Sequence, residues 1–402
     1  MKMKFNKWTT ALVATGVVSL ASAVTADEHP LNTLLSSTSL SGYVDTSAIW
    51  NFGDGNGVAN RFVNTGPDRQ DGFNLNVVKV ALEKSLDEGQ WSAGYKLETL
   101  FGPDASGLPG NGGTVGMNNV GLKQAYVALR APVGNGIDFK MGRFDPIIGY
   151  EVYDSYANPN FSRSFGYAIE PLTHTGLLGT YQFTDVIGAS AGVANTDQSV
   201  VARSGNAESK KTYMAGVVLK APDSTGWMAG SSLYGGAVVG VDRFLGTGND
   251  QDLNLYIGGS LATPIKGFTV GAAYDYLDGG SYASAAALYA SFQATEQLKL
   301  NLRGEYAQSG YGAFSGTGVR DKMTGLTFTA DYALWANVVT RAELRWDHSA
   351  NGDDAFYNVG GAGGYSFSDE YDSGGTGGSG GTYGSGGSRD DVSLLLNVIY
   401  KF

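Results

Sequence analysis

Few side chains in this chain have the chemistry of a general base or a nucleophile. It contains three histidines, His29, His174 and His348, and no cysteine. A hydrolase that acts through serine needs a histidine within hydrogen-bond reach and a group that orients that histidine. Residues 347–351, Asp-His-Ser-Ala-Asn, supply these residue types. Neighbouring residues on a strand point to opposite faces, however, so we predict no catalytic residue and no enzymatic activity.

Metal and cofactor motifs are equally weak. Residues 53–57, Gly-Asp-Gly-Asn-Gly, resemble the start of a calcium loop but lack the carboxylate expected at the twelfth position. The absence of cysteine excludes thiolate metal sites. The sequence has no phosphate-binding loop and no zinc-ligand spacing. We therefore expect no metal and no cofactor.

Most charged residues alternate with apolar ones. In residues 297–307 three leucines occupy one side, and Lys299, Arg303 and Glu305 occupy the other. Residues 337–347 repeat the pattern. A period of two indicates strands with one apolar and one polar face. In a soluble sheet the apolar face would cover a core, whereas in a transmembrane barrel it would face lipid and the polar face would line the lumen.

Composition and charge limit the classes of protein. Charged residues make up 16% of the chain, below the roughly 25% of ordinary globular domains, and glycine reaches 60 residues. This balance favours a large β-protein. The formal net charge is −11, and removal of residues 1–26, which hold three lysines and no acid, would make it −14. An acidic chain argues against nucleic-acid binding.

The N-terminus has the pattern of an export signal. Three lysines within the first seven residues precede an uncharged stretch, Thr9–Ala26, that ends in small residues. This order is typical of a cleaved signal peptide. An uncleaved anchor is the alternative, but the alanine, serine, threonine and glycine content would make it a weak one. We predict a signal peptide over 1–26 and a short periplasmic segment over 27–37.

The C-terminus and the spacing of turns favour a membrane barrel. Residues 390–402 alternate and end on Phe402, which resembles the assembly signal of bacterial outer-membrane barrels. Seven short connections alternate with eight mostly longer ones, which predicts sixteen strands over residues 38–402. Boundary errors leave fourteen or eighteen strands as alternatives. The predicted fold is an all-β, antiparallel transmembrane barrel with short periplasmic turns and long extracellular loops.

One irregular segment interrupts the alternation and carries a family resemblance. Residues 142–151, Gly-Arg-Phe-Asp-Pro-Ile-Ile-Gly-Tyr-Glu, are followed by Ser162–Pro171 and His174–Phe183. Together with Leu40–Phe52, these residues resemble the OmpL-like family of putative beta-barrel porins. The resemblance implies an outer-membrane channel and names no substrate. By resemblance to sixteen-stranded porins, the third long loop, 145–171, is expected to fold inward and narrow the pore, and a homotrimer is the expected assembly.

Charged residues of that loop and of the strands are the predicted lining of the pore. Irregular backbone at membrane depth is tolerated only where it lines water or is buried in protein, and mixed charges around a pore tune its ion preference. One alternative places the loop on the outer rim; another makes Arg143 and Glu151 a structural pair at the loop base. The predicted lining residues are Lys79, Lys96, Glu98, Lys140, Asp145, Glu151, Asp154, Arg163, Glu170, Arg303, Glu305, Asp331, Arg341, Glu343, Arg345 and Asp347.

The function predicted from these features is that of an outer-membrane porin. Ions and small hydrophilic solutes would diffuse passively through it, with a weak preference for cations because the chain is acidic. Its partners would be outer-membrane lipid and these solutes, and not nucleic acid. A structural or adhesive barrel with an occluded lumen is the alternative, in which the glycine- and serine-rich stretch 360–387 would carry the contacts. The sequence does not identify the solute.

Overall fold

The computed structural model describes most of the chain from residue 38 onward. The described residues are 38–52, 72–87, 91–108, 119–196, 211–241, 251–279, 282–310, 313–314, 321–352, 356 and 388–402. The predicted signal peptide (1–26), the predicted periplasmic segment (27–37), the glycine-rich stretch 53–57 and the stretch 360–387 lie outside these residues. Within them, no helix is long and apolar enough to cross a bilayer.

Sixteen strands form in the described part of the chain, and they account for nearly all of its regular structure. The strands are β1 (Thr38–Phe52), β2 (Gly72–Lys84), β3 (Ser92–Phe101), β4 (Val120–Ala131), β5 (Ile137–Phe144), β6 (His174–Gln182), β7 (Ile187–Ala194), β8 (Thr212–Lys220), β9 (Ser232–Val241), β10 (Gln251–Ala262), β11 (Phe268–Asp278), β12 (Tyr282–Gln293), β13 (Leu298–Ser309), β14 (Asp321–Trp335), β15 (Val338–Ser349) and β16 (Asp390–Lys401). A short helix, α1 (Phe165–Ile169), and the 3-10 turns Pro103–Gly107, Ser155–Ala157 and Asp223–Met228 complete the described elements.

The strands close into a barrel. Each strand pairs with its neighbours in the sequence, and β1 pairs antiparallel with β16 from Tyr43–Lys401 to Phe52–Val392. Closure removes the free sheet edges, so the main chain of every strand can be hydrogen-bonded without water, as a membrane interior requires. The predicted sixteen-stranded antiparallel barrel is confirmed.

The alternation of residues places apolar side chains outside and polar side chains inside. On β13, Leu302 is exposed on the outer surface while its neighbour Arg303 is buried inside. On β16, Leu396 and Val398 face outward, whereas Leu395 and Ile399 face inward. Aromatic side chains are exposed near both ends of the strands, where a membrane has its interfaces. They include Trp91, Phe183 and Trp227 near short turns, and Trp50, Tyr306 and Trp346 near the opposite rim.

Close packing at Gly42 marks the seam between β1 and β16. Its N–H donates to the carbonyl oxygen of Phe402 at 2.9 Å, and the Phe402 N–H donates back at 3.0 Å. A Cβ at position 42 would lie 2.2 Å from the carbonyl oxygen of Lys79 and 2.6 Å from the Phe402 ring. The first contact is with backbone, which cannot move without disturbing the β1–β2 pairing. Glycine is therefore required where the last residue of the chain closes the barrel.

We expect Gly42→Val to destabilise the closed barrel. Overpacking costs about 1–3 kcal/mol, and here it acts on the strand pair that closes the ring. The measurement is the midpoint temperature of unfolding in detergent. The readout is the shift in gel mobility that accompanies unfolding of the barrel. Gly304→Val is the matched control, because a Cβ at Gly304 would meet nothing within 4 Å. Equal midpoints for the two variants would contradict this account of the seam.

Candidate functional site

The segment between β5 and β6, residues 145–173, crosses the interior of the barrel. Asn160 Nδ2 donates to Thr329 Oγ1 on β14 at 2.7 Å, and β14 lies eight positions from β6 in the ring of sixteen strands. On another part of the wall, the Tyr43 hydroxyl on β1 donates to Asp154 Oδ1 at 3.0 Å. The segment therefore reaches the far side of the lumen and does not lie on the outer rim.

Local sequence explains why the chain leaves β5 and turns inward. Gly142 has φ of 136°, a conformation that residues with a side chain rarely adopt, and a Cβ there would lie 2.3 Å from the carbonyl oxygen of Ala125. Pro146 follows shortly after and cannot donate to a strand ladder. Further along, the Ser164 hydroxyl accepts a hydrogen bond from Tyr167 N–H at 3.2 Å and begins α1.

Strands β2 to β4 hold the first half of the segment through a network of lysines and carboxylates. Lys79 Nζ lies 2.6 Å from Asp154 Oδ2 and 2.8 Å from Glu98 Oε1. Lys123 Nζ lies 3.0 Å from Asp145 Oδ2 and 3.3 Å from Glu98 Oε2. Glu98 on β3 thus joins Lys79 on β2 to Lys123 on β4, and each of these two lysines in turn binds an acid of the segment. The network ties the segment to the wall next to its starting strand.

The two acids of the segment in this network titrate differently. Burial raises the pKa of Asp145 above its ordinary value, and Lys123 offsets only part of the increase. Burial acts in the same direction on Asp154, but the ammonium groups of Lys123 and Lys79 outweigh it and lower the pKa of Asp154 below its ordinary value. Asp154 therefore stays ionised to lower pH than Asp145. The ion pair between Asp154 and Lys79 thus persists to lower pH than the ion pair between Asp145 and Lys123.

Arg303 on β13 binds the middle of the segment. Its Nη1 donates to Glu151 Oε1 at 2.8 Å and to the carbonyl oxygen of Ser162 at 2.7 Å. Its Nη2 donates to the carbonyl oxygen of Arg163 at 3.2 Å, and its Nε donates to Glu305 Oε1 at 2.5 Å. The side chain is fully buried. One guanidinium thus satisfies two carboxylates and two main-chain carbonyls.

The carboxylates of β13 and β15 bind main-chain N–H groups of the same stretch. Glu343 accepts from Phe161 N–H at 2.6 Å and from Ser162 N–H at 2.9 Å. Glu305 accepts from Phe165 N–H at 2.6 Å. These N–H groups have no strand or helix partner, so a charged acceptor is what keeps them satisfied in the interior. The wall fixes the path of the backbone, and not only the positions of side chains.

Arg341 and Arg345 on β15 complete this arrangement. Arg341 Nη1 donates to the carbonyl oxygen of Ser155 at 2.7 Å, and its Nη2 donates to that of Asn158 at 3.0 Å. Arg345 Nη1 donates to the carbonyl oxygen of Arg163 at 2.5 Å, while its Nε binds Asp347. Three arginines on two strands therefore bind main-chain carbonyls of the segment between Ser155 and Arg163.

The wall between β6 and β12 is mostly apolar and aromatic where it meets the segment. Ile147 and Ile148 pack in one cluster with inward residues of these strands, which include Leu178, Met214, Tyr234, Val238, Tyr256 and Tyr289. Tyr150 stacks on Tyr289 with ring centroids 4.1 Å apart. At the end of the segment, Glu170 and Asp275 on β11 share a side-chain hydrogen bond. Apolar packing here complements the ionic contacts elsewhere on the wall.

The structure places all of the predicted lining residues on the segment or on inward faces. Most of them are buried, whereas Lys140, Asp145 and Asp331 are only half-buried. The alternative pairing of Arg143 with Glu151 is wrong. Arg143 Nε donates to Thr173 Oγ1 at 3.2 Å, and Glu151 binds Arg303 because the segment carries it across the lumen.

Sequence reasoning missed Lys123, which lies at the centre of the ionic network. The register between β3 and β4 shifts after Glu98, so that Glu98 pairs with Gln124 and Thr99 pairs with Leu122. The shift leaves Lys123 as an extra residue, and both it and Gln124 are buried. A strict period of two cannot place two successive residues on the same face. Asn160, Thr329 and Asp275 were also missed, because no pattern in the sequence links the segment to distant strands.

Among the described residues, no group of three or more histidine, aspartate or glutamate side chains has the geometry of a metal site. The chemistry of the interior is that of fixed charges and hydrogen bonds around an inserted segment. Such an arrangement can position charges in a lumen.

Comparison with known protein families identifies the chain. Residues 37–370 match the family described as "Putative beta-barrel porin-2, OmpL-like". The chain belongs to this family. A comparison of the sequence of this OmpL-like porin with curated proteins finds no match. The resemblance predicted from the residues around Gly142–Phe183 is thereby confirmed, as is a location in the outer membrane.

Solved structures of similar fold are outer-membrane proteins. An anion-selective porin from Comamonas acidovorans is 14% identical with a TM-score of 0.57, covering 91% of this chain and 99% of that chain. A Salmonella typhi OmpF complex with daunomycin is 14% identical with a TM-score of 0.54, covering 91% and 97%. OmpT, an outer membrane protein of Vibrio cholerae, is 10% identical with a TM-score of 0.53, covering 91% and 97%. At these identities the likeness concerns the fold alone.

We expect Arg303→Met to destabilise this OmpL-like porin strongly. Removal of one partner of a buried ion pair leaves a charge without compensation and costs about 3–5 kcal/mol. Here Glu151 would lose its cation, and two carbonyls of the segment would lose donors. Thermal unfolding in detergent measures the loss.

Arg130→Met is the matched control for Arg303→Met. Arg130 Nε lies 3.5 Å from Asp138 Oδ1 in a partly exposed pair, and such pairs contribute at most about 1 kcal/mol. A comparable loss of stability in both variants would contradict the anchoring role of Arg303.

Proposed function

We propose that this OmpL-like porin lets ions and small hydrophilic solutes diffuse passively across the outer membrane. The route is the barrel lumen, which the segment 145–173 narrows, and transport needs neither catalysis nor a cofactor. The observation that carries the proposal is the anchoring of an irregular segment across the lumen by charged residues of the wall. A constriction has to hold one position to select by size and charge, and these contacts supply that rigidity.

The size of the barrel and the polarity of its inner face support a water-filled route. Barrels of sixteen strands are wide enough to leave an aqueous channel, whereas small barrels are filled by side chains. Toward the rim of short turns, inward-facing polar side chains are only half-buried, among them Lys140, Lys299, Asp331 and Lys401. Partly exposed charges at membrane depth indicate contact with water inside the barrel.

We also propose that the porin assembles as a homotrimer. The support is a likeness of fold to a structure described as the trimer form of Vibrio cholerae OmpT, 11% identical with a TM-score of 0.52, covering 91% of this chain and 99% of that chain. Chemical cross-linking of the folded protein in detergent checks this. A monomeric band alone at saturating cross-linker would contradict it.

A structural barrel with an occluded lumen is the second candidate, and one observation favours it. The first part of the segment packs apolar side chains, Ile147 and Ile148, against the tyrosine-rich wall of β9 to β12. Such packing removes space that a solute would use. The two candidates differ in whether the folded barrel conducts ions.

Single-channel recording in planar bilayers separates the two candidates. We expect discrete conductance steps from the folded protein. Glu343→Gln should make these steps larger and noisier, because an amide cannot accept from both Phe161 N–H and Ser162 N–H as the carboxylate does. The loosened segment would then constrict the lumen less.

Lys322→Gln is the control for the conductance experiment. Lys322 is exposed on the outer face of β14, near the rim opposite the short turns, so its replacement should leave the steps unchanged. Absence of steps from a barrel shown to be folded would overturn the proposed diffusion and favour the occluded barrel.

A further inference from the structure

We propose that Glu170 and Asp275 share one proton, and that this proton fixes the end of the segment 145–173 to β11. Without the proton, two adjacent carboxylates would repel each other and release this part of the segment. The width of the lumen would thereby depend on pH. This inference deepens the proposed function and rests on it, since a change in width acts on solutes that move through the lumen.

The two carboxyl groups meet where the end of the segment contacts the wall. A side-chain hydrogen bond joins them, and the two residues are only 4% and 5% exposed. An ionised carboxylate accepts hydrogen bonds and cannot donate one. One of the two groups must therefore carry a proton for this bond to form.

Two glycines of the segment pack directly on the pair. A Cβ at Gly166, in α1, would overlap Asp275 Oδ2, and a Cβ at Gly149 would overlap Glu170 Oε2. The pair is thus in contact with both the first and the last part of the segment. Separation of the two carboxyl groups would move backbone on either side of the pair.

The strands around Asp275 provide no cation that could balance a second negative charge. Asp275 pairs with Tyr256 on β10 and with Ala285 on β12, and the next inward residues of β11 are Ala273 and Leu277. Among the described residues, Asp275 forms no ion pair within 4.0 Å, and its Oδ1 has no hydrogen-bond partner. A full charge on Asp275 would be desolvated without compensation. The shared proton avoids this cost.

The other titratable groups that act on the pair do not replace the shared proton. Glu151 adds negative charge near Asp275, but its own cation is Arg303, whose Nη1 lies 2.8 Å from Glu151 Oε1. The remaining groups are the hydroxyls of Tyr150, Tyr167 and Tyr256. Tyrosine ionises only near pH 10, so these hydroxyls stay neutral at lower pH.

Charged groups of the adjoining cleft are paired elsewhere. Glu170 borders this cleft together with Asp145 and Tyr167. Asp145 lies 3.0 Å from Lys123 Nζ, and Arg163, above the Tyr167 ring, donates to main-chain carbonyls. Burial raises the pKa of Asp145, but its ionisation strengthens the ion pair with Lys123 as the pH rises. This effect has the opposite sign to loss of the shared proton, so comparison with a variant at position 275 separates the two.

The sign of the effect on stability follows from proton counting. The folded protein keeps a proton on the pair, whereas the unfolded chain releases it above about pH 4, where ordinary carboxyl groups ionise. Where the folded state binds more protons, the free energy of unfolding falls as the pH rises. The contribution of the pair is therefore fully present at low pH and is lost as the pH rises until the shared proton leaves.

Single-channel recording between about pH 5 and pH 8.5, above the ionisation of ordinary carboxyls and below that of tyrosine, tests the inference. We expect larger conductance steps as the pH rises, because the released segment constricts the lumen less. Asp275→Asn should keep small steps throughout, since an amide can donate to Glu170 at any pH. Asp275→Ala, which has no donor, should give large steps throughout.

Asp278→Asn is the matched control. Asp278 lies on the same strand and is exposed, so its replacement should leave the pH dependence unchanged. A rise of equal size in Asp275→Asn, or steps that do not grow with pH in the unmodified protein, would overturn the inference.

The midpoint temperature of unfolding in detergent separates this inference from the proposed diffusion. The midpoint of the unmodified protein should fall relative to that of Asp275→Asn by about 1–3 °C per pH unit, because only the unmodified pair holds a proton to release. Such a fall in a folded barrel without conductance steps would overturn the diffusion and leave the shared proton. Steps without any pH-dependent difference between the two proteins would overturn this inference alone.

Discussion

The structure depends on satisfying main-chain hydrogen bonds of an irregular segment inside a barrel. A strand satisfies its N–H and C=O groups through its neighbours, but the segment 145–173 has no neighbouring strand. Where the segment is buried against the wall, each unsatisfied group would cost about 1–3 kcal/mol. Charged side chains of the wall supply the missing partners. Glu343 binds two successive N–H groups, and Arg341 binds three carbonyls.

This constraint changes how the inward charges should be understood. Charges on a lumen wall are commonly interpreted as contacts for ions. The guanidinium groups of Arg303 and Arg345, however, donate their hydrogen bonds to the segment and to neighbouring carboxylates. A buried ion pair contributes little net stability, because desolvation offsets the attraction. Its larger effect here is to favour one position of the segment. The charges of β13 to β15 thus hold the segment in place.

The sequence predicts the barrel well and the interior only in part. A period of two assigns each strand residue to a face, which is why Arg303, Glu305 and Arg345 are recognised as inward. The same rule fails at Lys123, where a bulge puts successive residues on one face. Contacts of the segment with the far wall join residues more than a hundred positions apart, such as Asn160 and Thr329. Local patterns contain no information on such pairs.

The pairing of the first strand with the last has a consequence for how the protein is made. Tyr43 pairs with Lys401, so β1 keeps an unpaired edge until β16 is in place. The partners of the segment in β13 to β15 also arrive late. Forming contacts across such long separations is slow, and open edges invite pairing with other chains. A chain in which β16 has not yet reached β1 therefore exposes two strand edges, and the segment lacks its partners on the last strands until the ring closes.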